Sequence, residues 1–299
     1  MIATERLDYA LPQELIAQAP AARRDGSRLL VVDRASRSVS HRSFSDLPAY
    51  LRPGDVLFRN NASVLPARLA GKRPTGGSVE CFLLRKTDGP AAGAEEWECL
   101  VRPGRKLSVG SAFEVAEGEL QGVVAAVSVG GTVLVRFTSK TGTSVAQAAN
   151  RSGDVPLPPY IRRDDSSRRQ EDRERYQTVY ADPGRQVAVA APTAGLHFTQ
   201  EVLERARAKG CRTADLTLHV GLGTFRPIST EKVESHPIHS EVYEIPRQTQ
   251  EELFRPGVRR ISVGTTTVRS VEDFLGKHSS PTPAAHLAEA SIFIYPPYA

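Results

Sequence analysis

Three predicted strands in the C-terminal half of the chain each lead into a loop that contains glycine. Residues 187–191 form an apolar run suited to a buried parallel strand, residues 214–225 contain an alternating strand, and a third strand within 259–264 is expected to end at Gly264. The three loops read APTAGLHF, HVGLGTF and VGTTTVR. If the three strands lie parallel in one sheet, right-handed crossovers bring their loops to its carboxyl edge, where open α/β sheets bind small ligands. The sequence therefore predicts an α/β main domain with a mixed or parallel sheet and a ligand site at that edge.

Helix signals follow the first and third of these loops. Thr199 can act as the side-chain N-cap of a helix that Gly210 is expected to stop. In the third unit the strand is expected to end at Gly264, and Thr265 or Thr266 to cap the next helix. The order of strand, loop and helix is the order of an α/β fold.

The chain between residues 66 and 153 has a different pattern. SVECFLLRK, WECLVRP, AFEVAEG and LQGVVAAVSVGGTVLVRFT are short runs rich in Val, Phe and Leu, and Gly130-Gly131 is typical of a hairpin turn. The Pro-rich stretch VPLPPYI marks the return from this region. We predict a small all-β barrel of residues 66–153, inserted into a main domain of residues 1–65 plus 154–299.

Composition excludes several classes of protein. The chain has 299 residues, 40% of them hydrophobic, which is enough for a large core. It shows no apolar run of membrane-helix length and no signal-peptide pattern, so we expect a cytoplasmic protein without a membrane partner. The three cysteines form no C-x-x-C pair and are expected to be buried thiols. The net charge of +5 permits a nucleic-acid partner, although an arginine excess can equally reflect codon composition.

Two histidines stand at corresponding ends of predicted strands. His197 follows the first run, and His219 ends the second, facing away from Leu216, Leu218 and Val220. Either one alone is better explained as a helix cap or a hydrogen-bonded core histidine. Their shared position at strand ends favours a ligand site.

The stretch ESHPIHSEVYEI holds a further cluster. His236, His239 and Glu241 have ligand types that suit zinc or iron, but Pro237 opposes the helix that would align the two imidazoles. The competing interpretation is a group of proton-transfer side chains, because the unperturbed pKa of histidine lies near 6.5. Both interpretations stay open at this point.

The segment GTTTVR is a candidate anion site. Backbone N–H groups at a helix start attract a carboxylate or phosphate, and Arg269 lies one turn further on. No P-loop and no G-x-G-x-x-G after a strand occurs, which argues against nucleotide hydrolysis and dinucleotide chemistry. The GLG at 221–223 is equally compatible with a structural turn.

Several long motifs resemble one family. VPLPPYI with DRERYQTVYA, APTAGLHFT, LTLHVGLGTFRPI, HPIHSEVYEI and VGTTTVR are similar, in order, to segments of the S-adenosylmethionine:tRNA ribosyltransferase-isomerases of queuosine biosynthesis. LDYALPQELIAQAP, RDGSRLLVVDR, GDVLFRNNASVLPARLAG and WECLVRPGRKL match too, so the likeness runs from about Leu7 to Tyr298. The family fold that this implies is also an α/β domain interrupted by a β-barrel.

The resemblance implies a transferase with two substrates. The ribosyl part of S-adenosylmethionine moves onto 7-aminomethyl-7-deazaguanine at the tRNA wobble position, adenine and methionine leave, and epoxyqueuosine forms. S-adenosylmethionine is then a co-substrate, tRNA is the partner, no metal is expected, and we expect a monomer. Two rival classes are a metal-dependent hydrolase using the His-x-x-His-x-Glu cluster and a noncatalytic tRNA-binding relative.

With this activity in mind, the candidate residues take three expected roles. The predicted catalytic residues are His197, His219, His236, His239 and Glu241. The predicted S-adenosylmethionine-binding residues are Thr193, Gly195, Gly221, Gly223, Thr265, Thr266 and Arg269. The predicted tRNA-binding residues are Tyr160, Arg162, Arg163, Arg173, Arg175 and Tyr176. The arginines of this last set also fit a solvated mixed-charge helix.

Three departures from the family pattern stand out. Ala62 and Ser63 occupy positions where members usually carry a hydroxyl residue and then a basic residue, and Pro297 replaces an expected glycine. Typical members also continue past the position of Ala299 through a Thr-Asn-Phe-His-Leu-Pro segment and a closing helix. The expectation is a truncated or shortened relative whose activity depends on whether that segment is dispensable.

Overall fold

The structure is a computed structural model that describes residues 1–87, 93–104, 107–128, 131–163, 167–221 and 228–298. The strands are β1 (Arg28–Asp33), β2 (Ser38–Ser43), β3 (Val56–Asn60), β4 (Arg68–Lys72), β5 (Ser78–Lys86), β6 (Ala94–Arg102), β7 (Ala112–Val115), β8 (Leu120–Val127), β9 (Val133–Ser139), β10 (Arg212–Leu218), β11 (Glu241–Ile245), β12 (Arg260–Val263) and β13 (His286–Ala290). The helices are α1 (Val145–Ser152), α2 (Arg169–Arg175), α3 (Gln200–Ala208), α4 (Arg247–Phe254) and α5 (Thr265–Lys277). None of these described helices combines the length and apolarity that crossing a bilayer requires.

The described strands of the main sheet have the order β12-β3-β10-β11-β13. β3 pairs in parallel with both β10 and β12, whereas β11 runs antiparallel to β10 and to β13. All five residues of β3 are buried because helices or loops cover both faces of this central strand. The sheet is therefore mixed, which is one of the two arrangements, mixed or parallel, that the sequence predicted.

The predicted helix signals are confirmed in part. Thr199 caps α3 by accepting a hydrogen bond from the Val202 amide at 3.2 Å, and α3 ends just before Gly210, whose φ is +83°. For α5 the prediction was wrong, because the N-cap is Gly264 and no side chain caps the helix start. Gly264 adopts φ +89°, a conformation that a threonine would rarely take.

The predicted strand at residues 187–191 is wrong. The segment is buried, but its only pairing in the described structure is an isolated parallel bridge between Val64 and Ala188. The Ala188 amide donates to Ser63 O and the Val189 amide donates to Val220 O, but among the described residues these bonds do not extend beyond the single bridge. An isolated bridge does not make a strand. The parallel strands are β3, β10 and β12 instead.

Strands β4 to β9 form a closed barrel in the order β4-β5-β6-β9-β8-β7, so the predicted all-β barrel is confirmed. The strands alternate buried and exposed residues, which places one face in a common core. Gly71 is needed where β4 meets β7, since a Cβ there would lie 1.9 Å from Glu114 O. All three cysteines are buried and free, as predicted.

Candidate functional site

A cavity of about 510 Å³ lies between the barrel and the main sheet. Its sheet side includes His219 and Gly221 after β10, and His239 and Glu241 at the start of β11. The barrel side is formed by the end of β5 and the middle of β6, and residues 187–189 also line the cavity. We call this the sheet-edge cavity. It brings four of the predicted site residues together.

Glu241 is the most connected of these residues. One carboxylate oxygen accepts a bond from Arg269 Nη1 at 2.7 Å, and the other accepts from the Gly221 amide at 3.2 Å. Arg269 also donates to the carbonyl oxygens of His239, Ala290 and Ile292 at 2.5–3.1 Å. The side chains of Arg269 and Glu241 are 13% and 10% exposed, so the ion pair is well shielded from water. Arg269 thereby ties α5 to the loop after β10 and to the start of β11.

His219 lies at the end of β10, where its amide donates to Val242 O at 2.9 Å. Burial lowers the pKa of the imidazole; nearby Glu244 raises it and Arg185 lowers it. Arg185 and Glu244 form a bidentate ion pair, so their opposite effects on the pKa of the imidazole largely cancel. His219 is therefore neutral at pH 7 and able to accept a proton.

A second cavity, of about 300 Å³, has His197 in its wall. Its other lining residues come from the N-terminal stretch 17–20, from the Pro-rich segment 157–163, from α2 with the residue after it, and from Thr193 and Leu196. We call this the tyrosine cavity because Tyr160 and Tyr176 line it. It is built mostly from irregular segments.

His197 ends a short 3-10 helix, Thr193–His197, and its ring lies 5.3 Å from that of Phe44. Burial is the main cause that lowers the pKa of this imidazole, and the charge of Arg24 adds to it. Arg24 also donates to the carbonyl oxygens of Leu196, Glu174 and Arg175. It therefore caps the carboxyl end of α2 and holds the turn that carries His197.

The 3-10 helix packs directly against two neighbours. A Cβ on Gly195 would lie 2.1 Å from the Tyr180 hydroxyl oxygen, so only glycine fits there. A Cβ on Gly264 would lie 3.2 Å from Ala194 Cβ, which places the start of α5 beside this turn. Thr265 and Thr266 begin α5, and the Thr266 hydroxyl has no hydrogen-bond partner among the described residues. The uncapped helix start thus lies close to the His197 turn.

The structure separates residues that the sequence placed in one cavity. His197 and Thr193 line the tyrosine cavity, whereas His219 lines the sheet-edge cavity. His236 packs against Phe293 with ring centroids 5.9 Å apart. Gly223 lies outside the described residues. His197 is carried by the 3-10 helix Thr193–His197, which lies beside the start of α5.

The predicted tRNA-contacting arginines are mostly bonded within the chain. Arg163 makes two 2.7 Å bonds to Asp172, and Arg175 donates to Ala21 O and Ala22 O. Arg173 donates to the carbonyls of Asn150, Arg151 and Gly153 at the end of α1. Tyr176 is 6% exposed, whereas Tyr160 is 52% exposed. These three half-buried arginines are thus held by bonds within the chain, and Tyr160 and Arg162 are the exposed members of the set.

Sequence reasoning missed several residues that shape the site. Arg24 gave no signal, because an arginine that binds carbonyl oxygens 150–172 residues away has no local pattern. Tyr180 was visible only as part of a motif; its buried hydroxyl has no partner among the described residues, and the Arg59 guanidinium lies 4.4 Å from its ring centroid. Arg59 is in turn held by Asp215 at 2.7 and 2.9 Å.

The His236, His239 and Glu241 trio does not form a metal-holding group. Within the described ranges, no cluster of three or more His, Cys, Asp or Glu side chains is arranged to bind a metal ion. Glu241 instead faces Arg269, whose positive charge opposes a cation.

Comparisons with known proteins converge on one family. The model of the family described as "Queuosine biosynthesis protein" matches residues 4–299. A relative from Natranaerobius thermophilus is 42% identical over 298 residues, covering 98% of this chain and 82% of the relative. Relatives from Desulforamulus reducens and Thermotoga maritima are 43% and 40% identical, covering 97% of this chain and 82% of each relative. All three relatives are named S-adenosylmethionine:tRNA ribosyltransferase-isomerase.

A solved structure is also similar. The crystal structure of S-adenosylmethionine tRNA ribosyltransferase from Thermotoga maritima is 30% identical, covers 98% of this chain and 80% of that chain, and aligns with a TM-score of 0.45. The family model matches nearly the whole chain, and two of the relatives are more than 40% identical to it. The chain therefore belongs to the queuosine biosynthesis family of S-adenosylmethionine:tRNA ribosyltransferase-isomerases.

Proposed function

We propose that the chain moves the ribosyl part of S-adenosylmethionine onto 7-aminomethyl-7-deazaguanine at the tRNA wobble position. The ribosyl group rearranges to the epoxycyclopentanediol of epoxyqueuosine, and adenine and methionine leave. Family membership supports this activity. The single observation that supports this activity in this chain is that residues of the family-like motifs line both cavities. S-adenosylmethionine and tRNA are the proposed partners of a cytoplasmic monomer that needs no resident metal.

The reaction needs three kinds of proton control. A base removes a proton from the ribose carbon beside the sulfonium, an acid assists the departure of adenine, and the incoming amine must be neutral. We assign these tasks collectively to His197, His219, His236 and His239. The lowered pKa values of His197 and His219 support a base role for each, since both imidazoles are then neutral near pH 7. Glu241 is proposed to orient the groups around it.

S-adenosylmethionine is proposed to contact the loops of both cavities. Thr193 and Gly195 lie on the His197 turn, Gly221 follows β10, and Gly223 comes two residues later in the sequence. Thr265 and Thr266 begin α5, whose free amides suit the methionine carboxylate. Arg269 is proposed to act through Glu241, because four of its N–H donors already bind oxygens of the chain.

For tRNA, we propose direct contact by Tyr160 and Arg162, which are both exposed. Arg163, Arg173, Arg175 and Tyr176 are proposed to support that surface from beneath, through their bonds to α1, α2 and the N-terminal stretch. Phosphate contacts of this kind weaken as salt concentration rises.

We also propose that the barrel is an inserted domain of residues 66–153. The two segments that connect it to the rest of the chain lie side by side, since Arg68 and Asp154 exchange backbone bonds of 3.1 and 2.8 Å. A Cβ on Gly153 would lie 2.0 Å from Pro66 O, so the segments are in close contact. Adjacent connections are what an insertion into a surface loop requires.

The test of the activity is adenine release. The chain is incubated with S-adenosylmethionine and tRNA that carries the aminomethyl base, and free adenine is followed by mass spectrometry. We expect adenine only when that tRNA is present; tRNA without the aminomethyl group is the control. Tight tRNA binding without adenine would instead select the noncatalytic relative.

A further inference from the structure

The tyrosine cavity has mainly apolar walls. Leu157, Pro158, Ile161 and Leu196 contribute side chains to it, and Tyr160 stands at its exposed side. Apolar walls with a few polar groups are typical of sites for neutral, flat ligands. The volume of about 300 Å³ is at the lower end of the range for small-molecule sites. A single ring system fits this description better than a whole S-adenosylmethionine molecule does.

Charged groups around the cavity are already paired. Arg163 is bound to Asp172 and to Gln18 O, and Arg175 is bound to the carbonyls of residues 21 and 22. A carboxylate or phosphate in the cavity would have to replace these bonds, at a cost in the stability of the cavity wall. The cavity therefore favours an uncharged group.

Tyr160 is held in place by the chain. The side-chain amide of Gln18 donates to Tyr160 O at 3.0 Å and accepts from the Arg162 amide at 2.8 Å. The Ile161 amide donates to Pro158 O at 2.9 Å, which closes the turn. An exposed ring on a fixed backbone loses little conformational freedom when a flat ligand stacks on it.

We propose that the tyrosine cavity binds a fused-ring nucleobase, with Tyr160 as the stacking surface and the His197 imidazole as a hydrogen-bonding partner for the base edge. This inference rests on the proposed function, whose two substrates both carry such a base. The base is either the adenine of S-adenosylmethionine or a base of the tRNA anticodon loop. The two sources share the same recognition chemistry, and the experiment separates them.

The experiment measures two probes on the full chain. Adenosine binding is measured by equilibrium dialysis, with methionine as the base-free probe. Binding of an anticodon stem-loop RNA is followed through 2-aminopurine placed at successive loop positions, whose fluorescence falls when it stacks on an aromatic ring. The variants are Tyr160→Leu, which removes the ring, and Tyr160→Phe, which keeps it. Tyr298→Leu is the matched control, because Tyr298 is 49% exposed and lies far along the chain from this cavity.

We expect Tyr160→Leu to weaken one of the base-bearing probes at least tenfold, and Tyr160→Phe and Tyr298→Leu to stay within twofold of wild type. Loss of adenosine binding assigns the cavity to S-adenosylmethionine; loss of quenching at one RNA position assigns it to tRNA. The inference is overturned if wild type binds neither probe, or if Tyr160→Leu leaves both unchanged. His197→Gln is a second variant and should weaken the same probe as Tyr160→Leu.

The adenine-release assay on wild type separates failure of the proposed function from failure of the nucleobase site. If adenine is released while neither probe responds to residue 160, the proposed function stands and the nucleobase site falls. If a probe responds to Tyr160→Leu but no adenine is released, the nucleobase site stands and the proposed function falls.

Discussion

The two cavities are built in contrasting ways. The sheet-edge cavity lies between regular elements, where β10 ends and β11 begins, and Glu241, the shielded partner of Arg269, is among its lining residues. The tyrosine cavity is made mostly of turns and connecting segments that arginine side chains bind together through carbonyl oxygens. The difference teaches that one buried ion pair is enough to join regular elements, whereas irregular segments are held by several arginines that bind backbone carbonyls. The predictions below test that division.

The largest effect is expected from removing one histidine from each cavity. His197→Ala and His219→Ala should each lower turnover by about 10²–10⁴-fold, the range for a group that transfers protons. Both proteins should remain folded by circular dichroism, and His41→Ala on the exposed hairpin is the control. Normal turnover by either folded variant would show that the histidine of that cavity does not transfer protons in the reaction.

Breaking the ion pair comes next. Arg269→Met leaves the buried Glu241 carboxylate without its partner and should lower the free energy of unfolding by about 3 kcal/mol, measured by urea denaturation. Lys140→Met removes a surface pair with Glu114 and should change it by less than about 1 kcal/mol. Equal effects of the two substitutions would contradict the supporting role of Arg269.

Gly195→Ala tests the packing of the His197 turn. The added methyl would lie 2.1 Å from the Tyr180 hydroxyl and 2.8 Å from Thr178 Cγ2, so we expect a loss of about 1–3 kcal/mol in thermal or urea unfolding. The double variant with Tyr180→Phe should recover part of that loss. Gly276→Ala in α5, where nothing lies within 4 Å of the new Cβ, is the control without a clash and should leave stability unchanged or raise it by up to about 1 kcal/mol.

The pH dependence probes both cavities together. Because the pKa values of His197 and His219 are lowered from 6.5, the midpoint of the acid-side fall in kcat/KM should lie below pH 6.5. The unfolded chain binds protons more readily than the folded chain as pH falls through this region, so stability also falls as pH drops from about 6.5 towards the lowered values. A midpoint above pH 6.5 would contradict the lowered pKa values.

The smallest effect concerns tRNA. Arg162→Gln should lower the slope of log affinity against log salt by about one, with unfolding unchanged. Arg163→Gln should instead lower stability, because it breaks the bidentate bond to Asp172. Titrations at several salt concentrations separate the two; a reversed pattern would exchange the roles of the exposed and the bonded arginine.

Local patterns predicted much of the fold. The strand alternation of residues 66–153 indicated a barrel, and the Thr199 cap and Gly210 stop placed α3 correctly. The strand predicted at 187–191 was wrong because apolar composition indicates that a segment is buried but not whether it pairs with other strands. Whether a buried run forms a strand depends on a neighbour that continues the ladder over several residues, and here the described residues form a single bridge.

For the site, the amino-acid sequence determined which groups are present and which family carries them, because motif spacing and residue chemistry are properties of the chain itself. Only the tertiary structure decided that His197 and His219 line different cavities, that Arg269 binds Glu241, and that Arg163 binds Asp172. The physical reason is that a charged side chain pairs with whatever acceptor the fold brings within about 3 Å as it leaves water. Such an acceptor can lie as far as 172 residues along the chain, as Leu196 O does from Arg24, beyond the reach of any local pattern.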